Sequence, residues 1–243
     1  MALPLGAQPP LPTNSVSLNG PNDLAIERYK IFELMNGFPA HRDNCEWAKM
    51  RALFADEEAY VFTTWSGGVP IDEFIKISEA GFAKGVKIAH RVNGSTIDIS
   101  TSHPNRALGK LKATITQRFR MPLAGGKEGE TCDVDVDADC RLCFFLEKKE
   151  DGDWKNHFFK GFYEKDRLHP VDPRFLPQID DEELVKYPEG YRYLGYAQHK
   201  AAGYPIKMDL PQSSGPEHVH FYESFIKWLE GASIEEMKVE LGV

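Results

Sequence analysis

Apolar positions in the first part of the chain repeat at the spacing of an α-helix. The first helix begins at Asn22 or Asp23, either of which can cap it, and Pro39 should kink or end it. Its apolar positions are Leu24, Ile31, Leu34, Met35 and Phe38. A second helix is predicted from about Asn44, and Pro70 is placed to start a third.

The pattern changes to that of β-strands from Val86 onward. Turn signals separate the strand-like stretches, which are VKIAHRVN, STIDIS, LGKLKATITQRF, ADCRLCFFLEKK and WKNHFFKGFYEK. One earlier stretch, AYVFTTW, lies between the second and third helices and is also a predicted strand. Three N-terminal helices followed by a meander predict an α+β fold with helices on one side of a mostly antiparallel sheet.

Three segments of the chain differ in amino-acid composition and in hydrophobic pattern. Residues 1–21 are predicted to be a flexible, proline-rich arm, and residues 22–165 to form the domain. Residues 166–243 are rich in proline and tyrosine and are expected to be an irregular extension that wraps the same domain. This extension should end in two helices, the second of which has capping-box spacing at Ser233 and Glu236.

Composition and charge narrow the class of protein. The chain has 243 residues, a hydrophobic fraction of 42% and a formal net charge of -8. Nucleic acids and anionic membranes are therefore not expected as partners, because both attract basic surfaces. A cytoplasmic protein is predicted for three reasons. Prolines interrupt the first residues where a signal peptide would be apolar, no run of roughly 18 apolar residues is present, and the cysteines are expected to be reduced.

Three stretches resemble the SnoaL-like and scytalone dehydratase-like proteins of the NTF2-like superfamily. They are RDNCEWAKMRALFADEEAYVF, IAHRVNG and KKEDGDWKN, and the resemblance covers about residues 23–165. It implies a cone formed by a curved sheet and three helices, with a small-molecule pocket inside. It also implies an enzyme that needs no cofactor. A homo-oligomer, a dimer or a trimer, is expected because a partner usually covers the open face of such a sheet, unless the C-terminal extension covers that face within one chain.

The resemblance also implies a catalytic pair. The family's dehydratases use a histidine as general acid and base, oriented by an aspartate, and these residues correspond to His90 and Asp43. The chain departs from that pattern at three positions. Arg42 and Phe62 stand where the dehydratases have two tyrosines, and Thr116 stands where they have a second histidine.

Acid–base catalysis by His90 and Asp43 also follows from the chemistry of the two residue types, without the family resemblance. A histidine near neutral pKa, held by a carboxylate, can take a proton from carbon next to a carbonyl and return it to a leaving hydroxyl. Each residue also has a plainer interpretation. His90 can be a buried histidine bonded to a backbone group, Asp43 can cap a helix, and nearby His41 can be a second acid or base.

Alternation along the strands predicts the rest of the pocket wall. Its predicted substrate-binding residues are Tyr60, Phe62, Thr116, Arg118, Arg141 and Tyr163. The two arginines would bind a carboxylate or phenolate or stabilise an enolate, or else form internal ion pairs with Asp139 or Glu147. Tyr163 would supply a phenol, or be an ordinary core tyrosine.

Metal and nucleotide sites are not predicted. Cys140 and Cys143 have CxxC spacing but lie within a predicted strand, whose successive side chains face opposite ways. The HxH at His218 and the acidic run DVDVDAD are weak signals, the latter without the glycine and glutamate of an EF-hand. No GxGxxG or P-loop motif is present.

Three functions remain open from the sequence. The first is a cofactor-independent lyase or isomerase acting on a phenolic or polycyclic, carbonyl-bearing natural product. The second is a non-catalytic binding or dimerisation module that uses the same cone. The third is a cyclase that folds a reactive polyene or quinone methide with its arginines and tyrosines.

Overall fold

A computed structural model of the protein describes residues 6–243, and the first five residues of the predicted arm lie outside the described part. Within that part, the α+β fold is confirmed as a seven-stranded sheet with helices against it. The strands are β1 (Ser15–Val16), β2 (Tyr60–Phe62), β3 (Val69–Pro70), β4 (Lys87–Ser100), β5 (Arg106–Pro122), β6 (Thr131–Lys148) and β7 (Trp154–Pro170). Their order across the sheet is β1-β4-β5-β6-β7-β2-β3.

The long strands β4 to β7 form the predicted antiparallel meander, and β2 pairs with β7 in parallel. Two predicted strands, VKIAHRVN and STIDIS, are the single strand β4 with an irregularity between Val92 and Gly94. Gly94 has a φ of 152°, which a glycine tolerates because it has no Cβ. Part of the predicted arm is also a strand, since Ser15 and Val16 pair with β4 as β1.

The N-terminal helices are α1 (Ala25–Asp43), α2 (Trp47–Ala52) and α3 (Ile71–Ala83), with a 3₁₀ turn at Asn22–Leu24 before α1. Pro39 lies inside α1 and does not end it. The helix continues for one more turn, and Asp43 is its last residue. This extra turn brings the Asp43 carboxylate to β4.

The C-terminal segment is more helical than expected. It contains α4 (Asp181–Leu184), a 3₁₀ turn at Glu189–Tyr191, α5 (Arg192–Ala202), α6 (Pro216–Leu229) and α7 (Ile234–Leu241). The predicted capping box of α7 is present. The strand β7 runs beyond residue 165, and the domain boundaries remain a prediction. No helix within residues 6–243 is long and apolar enough to cross a bilayer.

The two faces of the sheet have separate cores. The cavity face, which carries Ile115, Leu142 and Phe159, packs against α1 and α5. The outer face, which carries Phe145, Phe158 and Phe162, packs against α6 and α7. The C-terminal segment therefore contributes a helix to each face.

Strand β7 also holds the start of α5. The half-buried carboxylate of Asp166 accepts a hydrogen bond of 2.7 Å from the backbone N–H of Leu194 in the first turn of that helix. Burial raises the pKa of Asp166 to about 6, although hydrogen bonds from the helix N-terminus act in the opposite direction. This contact positions α5 over the cavity face.

Trp228 is the centre of the outer core, and Trp228→Ala is expected to lower the free energy of unfolding by about 3–5 kcal/mol. The side chain is fully buried, its Nε1 donates to the carbonyl of Ala107 at 3.0 Å, and the guanidinium of Arg106 lies 3.8 Å from its ring centroid. Denaturant unfolding of the whole chain measures the loss.

Val239→Ala is the matched control, because Val239 belongs to the same C-terminal segment but is 83% exposed. It should change the free energy of unfolding by less than about 0.5 kcal/mol. A loss below about 1 kcal/mol for Trp228→Ala would mean that α6 adds little to the fold.

Candidate functional site

Asp43 and His90 are in direct contact. One carboxylate oxygen of Asp43 lies 2.7 Å from Nδ1 of His90, and the other accepts the backbone N–H of His90, also at 2.7 Å. The last turn of α1 supplies the aspartate and β4 supplies the histidine. Because both carboxylate oxygens are engaged by one residue, the ring is held in a single orientation.

The proton on the His90 ring is placed by this contact. A carboxylate accepts hydrogen bonds, so Nδ1 carries the proton and Nε2 carries the lone pair. The Nε2 atom makes no hydrogen bond with a described residue. Burial of the ring, whose side chain is 3% exposed, lowers the pKa of His90, and the charge of Arg42 adds to this while Asp43 opposes it. The neutral, proton-accepting form is therefore favoured near pH 7.

His90 lines a small cavity on the cavity face of the sheet. The cavity has a volume of about 30 Å³, enough for about two water molecules. Its wall is largely apolar and aromatic, with Phe38, Trp65 and Phe159 among the rings. The polar side chains around it are Arg42, Thr63, Thr64, His90, Gln117, Tyr163 and Gln198.

Helix α5 closes the cavity through a chain of hydrogen bonds. Thr64 donates to the side-chain oxygen of Gln198 at 2.6 Å, and the amide nitrogen of Gln198 donates to Gln117 at 3.0 Å. These three residues come from the segment after β2, from α5 and from β5. All three are buried, so the chain orders the cover over the cavity.

Tyr163 lies where the sequence analysis expected a phenol. It lines the cavity, its side chain is buried, and burial raises its pKa, so the hydroxyl stays protonated near neutral pH. A protonated phenol can donate a hydrogen bond to a carbonyl oxygen. Gly161 makes room for it, because a Cβ at that position would lie 3.0 Å from the Tyr163 oxygen.

Thr116 and Arg118 lie on the outer face of the sheet, which corrects the predicted orientation of the side chains of β5. Thr116 bonds to Asp137, and Arg118 forms a two-armed pair with Asp135 at 2.7 and 2.8 Å. The residues between and beside them, Ile115 and Gln117, line the cavity instead. A shift of one residue exchanges the two faces, so the alternation was assigned to the wrong face.

Arg141 shows the same exchange on β6. Its guanidinium pairs with Glu164 at 2.6 Å and with the hydroxyl of Tyr222 on α6, whereas Leu142 faces the cavity. Arg141 thus forms an internal ion pair, but its partner is Glu164 and not the predicted Asp139 or Glu147. Neither predicted arginine reaches the cavity.

Tyr60 and Phe62 also face outward. Tyr60 stacks on Phe158 at 5.9 Å between ring centroids, and Phe62 belongs to the outer core. Thr64 lines the cavity instead, because β2 ends at Phe62 and the alternation of its side chains ends there. The cavity therefore has one of the six predicted substrate-binding residues, Tyr163.

The acidic run DVDVDAD is part of β6 and is paired with basic residues on the outer face. Asp137 accepts hydrogen bonds from Thr116, Arg91 and Arg167. Burial alone would raise the pKa of Asp137, but these hydrogen bonds lower it to about 2. The run is thus a set of ion-paired carboxylates along a strand.

The other candidate residues lie apart from the cavity. His41 pairs with Glu46 at 2.6 Å and is not among the residues that line it. Cys140 belongs to the core of the cavity face and Cys143 to that of the outer face. Among residues 6–243, no group of three or more His, Cys, Asp or Glu side chains is arranged to hold a metal ion.

Arg42 and Gln198 are two of the polar cavity residues that sequence reasoning missed. Arg42 was noted only as a departure from the dehydratases, although its position next to Asp43 was a usable signal. Gln198 carried no signal, because its segment was predicted to be irregular and only the tertiary structure folds α5 over the sheet.

Comparisons with known proteins agree with this architecture. The family model of the SnoaL-like domain matches residues 24–160. Pea pathogenicity protein 2 of Fusarium vanettenii is 43% identical over 241 residues, which cover 96% of this chain and 97% of that protein.

Two solved structures are more distant. A Novosphingobium aromaticivorans protein, provisionally described as a scytalone dehydratase, is 19% identical with a TM-score of 0.44 and covers 63% of this chain and 93% of its own. A type 2 hexachlorocyclohexane dehydrochlorinase is 10% identical with a TM-score of 0.48, and covers 65% of this chain and 97% of its own. The family model and the full-length relative establish that the chain belongs to the SnoaL-like family.

Proposed function

We propose that the protein is a lyase or isomerase that works without a cofactor on a phenolic or polycyclic compound bearing a carbonyl group. The observation that carries this proposal is the Asp43–His90 pair, whose buried imidazole lies on the wall of the cavity with its neutral Nε2 making no hydrogen bond to residues 6–243. A neutral imidazole of this kind is a general base near pH 7.

The proposed reaction begins with a proton transfer. The His90 Nε2 lone pair takes a proton from the carbon next to the carbonyl, and the electrons of that C–H bond move to the carbonyl oxygen as an enolate. Asp43 stabilises the imidazolium that forms. In an elimination, the enolate electrons expel a β-hydroxyl and His90 returns its proton to that oxygen, releasing water. In an isomerisation, the same proton returns to a different carbon.

The size of the cavity bears on how a substrate enters. A polycyclic compound is larger than about 30 Å³, so the contact of Thr64 with Gln198 must open to admit it. Tyr163 is then available to donate to the carbonyl oxygen. Phe38, Trp65 and Phe74 offer aromatic surfaces of the kind that bind flat rings.

A binding module is the second candidate, and the closed cavity favours it. Helix α5 covers the cavity, and the cavity is small. Both features are typical of a pocket that binds a ligand without reaction or of an interior filled by side chains. The cyclase has lost its specific support, because Arg118 and Arg141 lie on the outer face. The homo-oligomer and the cytoplasmic location remain predictions.

Hydrogen–deuterium exchange tests the proposed function. The purified protein, treated with a chelator and given no cofactor, is incubated in D₂O with a panel of phenolic and polycyclic ketones. We expect deuterium at the carbon next to the carbonyl, or loss of a β-hydroxyl, at rates above those of buffer, because His90 exchanges its proton with solvent. Mass spectrometry measures both.

The same panel separates the two candidates. Ligands that bind, as followed by calorimetry, but show neither exchange nor elimination between pH 6 and 9 would contradict the enzyme and favour the binding module.

A further inference from the structure

Arg42 is a buried cation that forms no ion pair within residues 6–243, although the charge of the neighbouring Asp43, whose carboxylate is bonded to His90, acts to raise the pKa of Arg42 against the effect of burial. Arg42 is 7% exposed and lines the cavity that contains His90. Its Nε has no hydrogen-bond partner, and within residues 6–243 it forms no ion pair with a carboxylate. The wall of a second, smaller space of about 20 Å³ is shared by Arg42 and Ser78, whose hydroxyl also lacks a partner.

Aromatic rings take the place that a carboxylate would usually have. The centre of the Arg42 guanidinium lies 5.4 Å from the ring centroid of Phe74 and 6.0 Å from that of Phe82. Such contacts hold the flat group in place but use its faces and leave its N–H donors free. Burial lowers the pKa of Arg42 but leaves it a cation at neutral pH.

An arrangement of this kind is costly for folding. Buried polar groups are normally hydrogen-bonded, and an unpaired buried charge is among the most destabilising features of a protein interior. Apart from the contacts with Phe74 and Phe82, no hydrogen bond or ion pair with a residue in 6–243 stabilises this charge, and its open donors lie at a cavity. A bound anion would supply the missing partner.

We propose that Arg42 binds an anionic oxygen of the ligand beside His90, so that the site takes carbonyl compounds that also carry a phenolate or a carboxylate. This inference extends the proposed function, and the catalytic role it gives to Arg42 rests on that function. A planar guanidinium offers two parallel N–H donors, which match the oxygen atoms of such anions. It would hold the enolate that forms when His90 removes a proton, in a position where the dehydratases have a tyrosine.

Anion binding can be measured without turnover. The probe is formate, which is small enough for the cavity, and the neutral comparison is formamide. The titration follows the Nε–H signal of Arg42 in a ¹H–¹⁵N spectrum at constant ionic strength. This signal is identified by its loss in Arg42→Lys. We expect a saturable shift with formate and none with formamide.

Calorimetry should show formate affinity reduced about 10–100-fold in Arg42→Met, because a charge-assisted hydrogen bond is removed.

Stability provides a second readout that separates a binding arginine from a structural one. Arg42→Met should melt at the same temperature as the wild type or higher, since it removes an unpaired buried charge. Arg118→Met is the matched control, because Arg118 is paired with Asp135 on the outer face and should bind formate as the wild type does.

Two results would overturn the proposal. One is an equal response of the Arg42 signal to formate and formamide, or no response to either. The other is a large fall in melting temperature for Arg42→Met together with unchanged formate affinity in that variant. Deuterium exchange without formate binding would overturn this inference and leave the proposed function standing, whereas formate binding without exchange would do the opposite.

Discussion

Replacing His90 with asparagine is expected to lower kcat/KM by about 10²–10⁴-fold, the usual contribution of a general base. The amide nitrogen of asparagine lies close to where Nδ1 of histidine lies, so it can still donate to Asp43. It has no counterpart of Nε2. The substitution therefore removes the base while keeping the contact that joins α1 to β4.

The measurement is the rate of deuterium exchange or elimination with a substrate found in the panel. His41→Asn is the matched control, because His41 also pairs with a carboxylate, Glu46, but does not line the cavity. It should leave kcat/KM unchanged. Full turnover in His90→Asn would mean that another group takes the proton.

The pH dependence of the wild type gives an independent check on His90. Only the neutral ring acts as a base, so activity is complete above the pKa of His90 and is lost as the pH falls through it. Burial lowers that pKa from its ordinary value of 6.5. The acid limb of kcat/KM should therefore lie below pH 6.5, and this limb should be absent from the residual activity of His90→Asn.

Asp43→Asn is expected to be nearly as damaging as the loss of His90, at about 10²–10⁴-fold in kcat/KM. The reason is the geometry of the two contacts. The backbone N–H of His90 requires an acceptor, so the amide oxygen of the new asparagine should face it. The amide NH₂ then faces Nδ1, which must accept a hydrogen bond, and the ring proton moves to Nε2.

The ¹⁵N chemical shifts of the His90 ring report which nitrogen carries the proton. We expect Nδ1 to be protonated in the wild type and Nε2 in Asp43→Asn. Glu46→Gln is the matched control, because it makes the same chemical change in the nearby His41 pair and should leave both the tautomer and the activity unaltered. Loss of activity with an unchanged tautomer would mean that Asp43 acts by charge alone.

Much of the fold was predictable because it depends on local pattern. Helical spacing around Ile31 and Phe38 placed α1, β-branched stretches placed the meander, and Ser233 with Glu236 marked the start of α7. The Asp43–His90 contact was predicted through a family resemblance. Neither residue shows it by spacing, since 47 positions separate them.

What the sequence could not decide was which face of each strand the cavity occupies. Alternation relates Thr116 to Arg118 and Tyr60 to Phe62, but it does not say which side of the sheet is concave. Both faces of this sheet are covered by helices and carry large apolar side chains, so hydrophobicity could not distinguish them.

By itself, the sequence determined the fold class and the order of most elements, because these follow from local spacing, and a family resemblance in the sequence identified the two residues of the central pair. The tertiary structure alone decided the remaining wall of the site. It turned Arg118 and Arg141 outward into ion pairs, placed Gln198 of α5 over the cavity, and left Arg42 as its unpaired cation. The reason is physical, since register, cover and charge pairing depend on contacts between segments that are distant along the chain.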